Sequence, residues 1–92
     1  MSSLSIVIPA KNESAVIGDV VKGARAKYPQ AEVIVVDDGS DDGTADVAAN
    51  AGAKVLRHPE SLGNGAAVKA GARAASGEII AFMDGDGQHL SL

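Results

Sequence analysis

Cysteine and tryptophan are absent from this 92-residue chain, and phenylalanine and tyrosine occur once each. Without cysteine there is no disulfide framework, and the redox character of the compartment cannot be read from thiols. With 2% aromatic residues, the core must be assembled from aliphatic and small side chains. No uninterrupted apolar run approaches the roughly 20 residues that a membrane-crossing helix needs. Positive charge is not in excess: the formal net charge is −4, which argues against nucleic acid as the main partner. Residues 1–5 carry no basic stretch of the kind that opens a signal peptide, and a cytoplasmic location is the default expectation. The length suits one small domain with a modest core and a thin stability margin.

Alternation of apolar runs with helical patterns organises the rest. Residues 4–9 (LSIVIP) are a short apolar, β-branched run expected as a strand buried on both faces, residues 32–38 (EVIVVDD) a second buried strand, and residues 54–58 (KVLRH) and 78–84 (EIIAFMD) a third and a fourth strand. Between them, residues 13–28 place Val16, Ile17, Val20, Val21 and Ala24 at helical spacing, and Pro29 stops that helix. Residues 42–52 and 63–77 predict two further helices, each closed by a glycine. The order β-α-β-α-β-α-β predicts an α/β fold. It is a Rossmann-like parallel sheet with strand order 3-2-1-4, the first strand central, and right-handed crossovers that put helices on both faces. No repeat, low-complexity segment or internal domain boundary interrupts it.

The polar motifs fall at one place in that scheme. PAKNE follows the first strand, DDGSDDGT the second, RHPESLGNG the third and DGDGQH the fourth. All four lie at the carboxyl edge of the sheet, where open α/β sheets bind ligands. In DGDGQH, Asp84, Asp86 and Gln88 alternate by two and offer only oxygen donors, which suit Mg²⁺ or Mn²⁺ and a diphosphate. Gly85 and Gly87 permit a tight turn. An ordinary acidic turn has the same composition, and a calcium loop fits poorly because the chain ends before its twelfth position. In DDGSDDGT, Asp37 or Asp38 is placed to accept hydrogen bonds from a bound base, while Ser40, Asp41 and Asp42 are expected to cap the second helix. The half-calcium-loop pattern there fails at its last position, which is Ala49. Gly63 and Gly65 imitate a dinucleotide fingerprint, but four residues separate Gly63 from the preceding strand and Val68 stands in the third position. The simpler account is a helix packed on the sheet through Ala66, Ala67, Ala70 and Ala74, with free N–H groups at its start that could help hold a phosphate. His58, His89, Arg57 and Lys69 read as surface residues near loops, with His89 adjacent to the acidic motif, and Lys11 is the better candidate for a nucleotide contact.

In combination, SIVIPAKNE, VIVVDDGSDDGT, LGNGAAVKAG and GEIIAFMDGDGQH resemble the family 2 glycosyltransferases of the GT-A fold. The last two are most similar to the polyprenyl-phosphate branch typified by dolichol-phosphate mannose synthase. The resemblance implies that Pro9, Lys11 and Glu13 form the first nucleotide-contacting loop, that Asp38 with Val36 beside it binds the base, and that Asp84, Gly85 and Asp86 form the Asp-x-Asp motif. It further implies that Asp84, Asp86 and Gln88 hold Mg²⁺ or Mn²⁺. Lys11 replaces a common tyrosine of that first loop, and Leu90 replaces a common proline. The implied activity is transfer of a sugar from a UDP- or GDP-sugar to an acceptor such as polyprenyl phosphate, at the cytoplasmic membrane face for the full-length protein. Since members are at least about twice as long, residues 1–92 are expected to be the N-terminal nucleotide-sugar-binding part, truncated after the Asp-x-Asp motif. Such a part would be inactive alone, with uncovered apolar sheet, an open edge on the fourth strand and a tendency to self-associate. Two other readings remain: a dinucleotide- or nucleotide-binding domain of another enzyme, and a non-catalytic α/β interaction module.

Overall fold

A computed structural model describes residues 3–85, 90 and 91. The elements run β1 (Leu4–Ala10), α1 (Ile17–Lys27), β2 (Glu32–Asp38), α2 (Thr44–Asn50), β3 (Lys54–His58), α3 (Asn64–Ala74), β4 (Ile79–Met83) and β5 (Leu90–Ser91). The sheet order is β3-β2-β1-β4-β5. The first four strands are parallel, as expected, with registers Ile6↔Val33, Leu4↔Ile79 and Asp38↔His58. β5 is an addition: it pairs antiparallel with β4 through Met83↔Leu90. The β4 edge is therefore not fully open, contrary to the sequence expectation.

β1 and β2 are buried on both faces because each supplies apolar side chains at consecutive positions, and a strand turns successive side chains to opposite sides. Ile6, Ile8, Ala10, Val33 and Val35 meet Ile17, Val21 and Ala24 of α1 and Ala48 of α2 on one face. Val7, Ile34 and Val36 meet Ala67 of α3 on the other. With so few large side chains, the second layer closes by bringing the α3 backbone down onto valine side chains of the sheet. Gly71 sits so near the sheet that a Cβ there would press into Val7 Cγ1 and lie 3.1 Å from Val36 Cγ2. None of the helices among the described residues is long and apolar enough to cross a membrane.

The helices are shorter at their starts than the apolar spacing implies. α1 begins at Ile17 rather than residue 13, and α2 at Thr44 after Gly43 in the left-handed region at φ 85°. The residues trimmed from both helices belong to loops at the carboxyl edge, and in the first of these loops the Glu13 and Ser14 amides are bonded to Thr44 and Asp42 of the second.

Candidate functional site

An open cleft of about 380 Å³ lies at the carboxyl ends of β1 and β4, where the chain direction across the sheet reverses. The β1 end and its loop contribute Pro9, Ala10, Lys11 and Glu13. β2 contributes Asp38, and the loop entering α3 contributes Ser61, Gly63 and Asn64. Asp84 and Gly85, after β4, complete it. Gly85 is close to β1: a Cβ there would be 3.1 Å from the Pro9 carbonyl oxygen and 3.2 Å from Ala10 Cβ. A larger residue would push the acidic turn away from the first loop.

Of the residues singled out in the sequence, Pro9, Lys11, Glu13, Asp38, Asp84 and Gly85 thus share one cleft. Val36 does not line it; it is fully buried beneath α3. Period-two alternation puts Val36 on the same face as Asp38, but one strand step deeper. Asp86, Gln88 and His89 lie outside the described residues. Among the described residues no group of three or more His, Cys, Asp or Glu side chains is placed to hold a metal ion. Asp84, exposed at the cleft, is the one metal candidate whose position is seen.

Asp38 is engaged by its own chain on every side. Its Oδ1 accepts from His58 Nδ1 at 3.0 Å and the Leu62 amide at 2.8 Å. Its Oδ2 accepts from Ser61 Oγ at 2.9 Å and the Gly63 amide at 2.9 Å. A carboxylate has about four acceptor positions, and here all are filled. The Leu62 amide foremost, then His58, holds this carboxyl well below the usual carboxylate range. In this arrangement Asp38 fastens the loop that leads into α3, so that a base could reach its oxygens only by displacing one of those donors. His58 is therefore not a surface residue as the sequence suggested: its side chain is 17% exposed and held against Asp38. The in-register pair Asp38↔His58 is the signal that would have revealed it. Asp37 is also buried, accepting from the Ser40 amide at 3.1 Å, while the exposed Arg57 stands 3.9 Å away.

The loops after β1 and β2 are clasped together. Asn12 N–H donates to Ser40 Oγ at 2.8 Å, Glu13 N–H to Thr44 Oγ1 at 2.9 Å and Ser14 N–H to Asp42 Oδ2 at 3.2 Å. In return the Asp41 amide donates to Asn12 Oδ1 at 3.1 Å. Thr44, fully buried, donates its hydroxyl to Asp42 Oδ1. These bonds correct the capping expectation. Ser40 and Asp41 do not cap α2, which has no side-chain bond from its N-cap residue; they reach across to the first loop. Asp42 bonds the Thr44 amide at 3.1 Å but spends its other oxygen on Ser14. The Thr44 side chain, then Ser14, lowers the Asp42 pKa to about 2. Ser61, Asn64 and Thr44 were not singled out in the sequence, since small polar residues in loops carry no distinctive signal by themselves.

Comparison with known proteins agrees with this fold. Residues 5–91 match the family described as glycosyl transferase family 2. A dolichyl-phosphate beta-glucosyltransferase of Trichomonas vaginalis is 36% identical over 97 residues, aligning 90% of this chain with 29% of its own length. Glucosyl-3-phosphoglycerate synthase from Mycobacterium tuberculosis, solved with Mn²⁺, UDP-glucose and phosphoglyceric acid, superposes with a TM-score of 0.79 at 32% identity, over 91% of this chain and 33% of that one. A mannosyltransferase from Pyrobaculum calidifontis, solved with GDP-Man and Mn²⁺, does so at 0.79 and 25% identity, over 92% and 28%. The chain therefore spans about a third of the length of these relatives.

Proposed function

Because this chain belongs to glycosyl transferase family 2, we propose that its cleft binds the nucleoside diphosphate of a sugar nucleotide, as the donor-binding part of a longer glycosyltransferase. The observation that carries this reading is the convergence of Lys11, Glu13 and Asp84 on one cleft at the sheet's switch point. Solved relatives hold UDP-glucose or GDP-Man with Mn²⁺, so a UDP- or GDP-sugar is the donor class. Asp84 offers the oxygen donor that a hard divalent cation prefers, and Asp84, Asp86 and Gln88 would hold Mg²⁺ or Mn²⁺. When bound, such an ion acts as a Lewis acid that stabilises charge on the departing diphosphate. Lys11 places an ammonium in the same cleft and adds to that stabilisation without a proton transfer. Gly85 keeps the acidic turn close to Pro9 and Ala10, so the cation and the first loop act on one ligand.

The acceptor is a phosphate-bearing molecule, polyprenyl phosphate in our reading, which enters through the remainder of the longer protein at the cytoplasmic membrane face. One relative is named for dolichyl phosphate; another was solved with phosphoglyceric acid. A phosphate acceptor is already anionic and needs little general-base help.

The clasp weighs against a dinucleotide-binding domain. In that fold the first strand-to-helix turn holds the pyrophosphate with backbone N–H groups. Here the amides of Asn12, Glu13 and Ser14 are already bonded to Ser40, Thr44 and Asp42.

Calorimetric titration tests the proposal. UDP and GDP should each be titrated with and without Mn²⁺, with NAD as the contrasting ligand. Metal and diphosphate should tighten one another by roughly 5–150-fold, as coupled ligands do, and Asp86→Ala should abolish that coupling while leaving the circular dichroism spectrum unchanged. Preference for NAD, or equal Mn²⁺ binding by wild type and Asp86→Ala, would overturn it.

A further inference from the structure

The clasp involves Asn12, Glu13 and Ser14 on one side and Ser40, Asp41, Asp42 and Thr44 on the other, yet only Glu13 of these lines the cleft. Three consecutive backbone N–H groups are each taken by a different side chain of the neighbouring loop. Asn12 is the one described non-glycine residue with positive φ, at 53°, a conformation asparagine tolerates better than most residues. Its side chain returns a bond to the Asp41 amide. Fixing three successive amides fixes the backbone that carries Lys11 and Glu13, the two charged residues of this loop that line the cleft. Thr44 is the hub. It is fully buried, accepts from the Glu13 amide and donates to Asp42, and no other hydroxyl among the described residues does both.

We propose that Thr44 and Asp42 are positioning residues for nucleotide binding: through the Asn12–Glu13–Ser14 amides they hold Lys11 and Glu13 in the cleft before the ligand arrives. The inference rests on the donor-binding reading above. A ligand entering a preorganised loop loses less free energy to ordering it, so loosening the clasp should weaken binding without removing any group that touches the ligand.

Three variants of the 92-residue chain test it. Thr44→Val keeps the shape of the side chain and removes its hydroxyl. Thr44→Ser restores the hydroxyl. Asn12→Gly removes the Asp41 contact at an exposed position, tolerates the positive φ, and covers the case in which Thr44→Val does not fold. UDP or GDP affinity in the presence of Mn²⁺ is measured by calorimetry, and exchange of the Asn12, Glu13 and Ser14 amides by NMR without ligand. In wild type these amides should be protected. Thr44→Val should expose them and weaken nucleotide binding about tenfold, the equivalent of one lost hydrogen bond. Thr44→Ser should stay within about twofold of wild type, and Asn12→Gly should fall between the two. The deciding readout is a double-mutant cycle. If Thr44 acts through the placement of Lys11, then Thr44→Val should cost less than about twofold in a Lys11→Met background. Full additivity there, or an equal loss with Thr44→Ser, would show that Thr44 supports the fold generally and would overturn the proposal. Unprotected amides in wild type would refute the clasp itself. Protected amides with no nucleotide binding by wild type would instead refute the donor-binding reading, and the positioning role with it.

Discussion

Replacing Asp38 by asparagine changes one oxygen into an NH₂ group and leaves the side-chain shape intact. The carboxylate accepts four donors; a carboxamide oxygen can accept about two. Suppose the amide oxygen keeps the Oδ1 position. His58 and Leu62 retain a partner, Ser61 can rotate its hydroxyl to accept, and the Gly63 amide faces an N–H with no partner. One unsatisfied buried donor costs about 1–3 kcal/mol, and the retained bonds lose their charge assistance. A total of about 2–4 kcal/mol follows. This is a large share of the roughly 5–14 kcal/mol expected for a domain of this size, and it corresponds to a fall in Tm of about 10–25 °C.

Urea titration followed by far-UV circular dichroism is the suitable assay, because the chain has no tryptophan to report by fluorescence. Asp37→Asn is the comparison: among the described residues Asp37 accepts one hydrogen bond, from the Ser40 amide, and its replacement should cost about 1 kcal/mol. The pH dependence gives a second check. Since the folded Asp38 carboxyl sits below its ordinary 3.8, the folded state holds fewer protons than the unfolded state in acid. Its contribution is complete above about pH 4 and is lost as pH falls further. Wild type should therefore lose stability on acidification more steeply than Asp38→Asn. A variant within about 0.5 kcal/mol of wild type, or a pair of Asp37 and Asp38 variants that cost the same, would refute the reasoning.

Other outcomes follow from packing and from the opposite end of the sheet. Gly71→Ala should destabilise by about 1–3 kcal/mol in urea, because its methyl would overlap Val7 and crowd Val36. Gly23→Ala, in the exposed middle of α1 with nothing within 4 Å, should stabilise by about 0.4–1 kcal/mol. Glu32 accepts from Ser5 Oγ at 2.8 Å and the Ser76 amide at 3.0 Å, tying the turn before β4 to β1 and β2. Glu32→Ala should speed hydrogen exchange at Ser76 and leave nucleotide binding at the other edge unchanged. The Ser76 amide foremost lowers the Glu32 pKa below 4.5, so this tie, too, should weaken in acid, below about pH 4.5.

Much of the sheet was legible because β2 and β3 have unbroken apolar centres flanked by polar ends, and the structure returns the bounds 32–38 and 54–58 unchanged. The parallel order was legible for the same reason: only a strand buried on both faces, like β1, belongs in the middle. Helix starts were not. Val16 fits the apolar spacing of α1, but the backbone before it is bonded to Ser40, Thr44 and Asp42, residues 28 to 31 positions away. Local pattern carries no record of such partners. The same blindness made Ser40 look like a helix cap and His58 like a surface residue. Recognising Asp38 as a saturated acceptor required the β2–β3 register and the path of the loop after it, neither of which spacing reveals. Val36 shows the reverse case, a residue two positions from Asp38 in sequence that is buried against α3 and does not line the cleft.

The central position of β1 has a consequence during synthesis. It is made before the strands on either side of it, and its two edges are filled at different times: one joins β2, but the other waits for β4, as Leu4 with Ile79 shows. Until residues 79–83 emerge, an apolar, β-branched segment carries an unpaired edge, the kind that joins strands of other chains. Contacts this distant along the chain also slow folding. Substitutions that hinder closure of α3 and β4 onto β1 should therefore lower soluble yield in the cell more than they lower the equilibrium stability of purified protein.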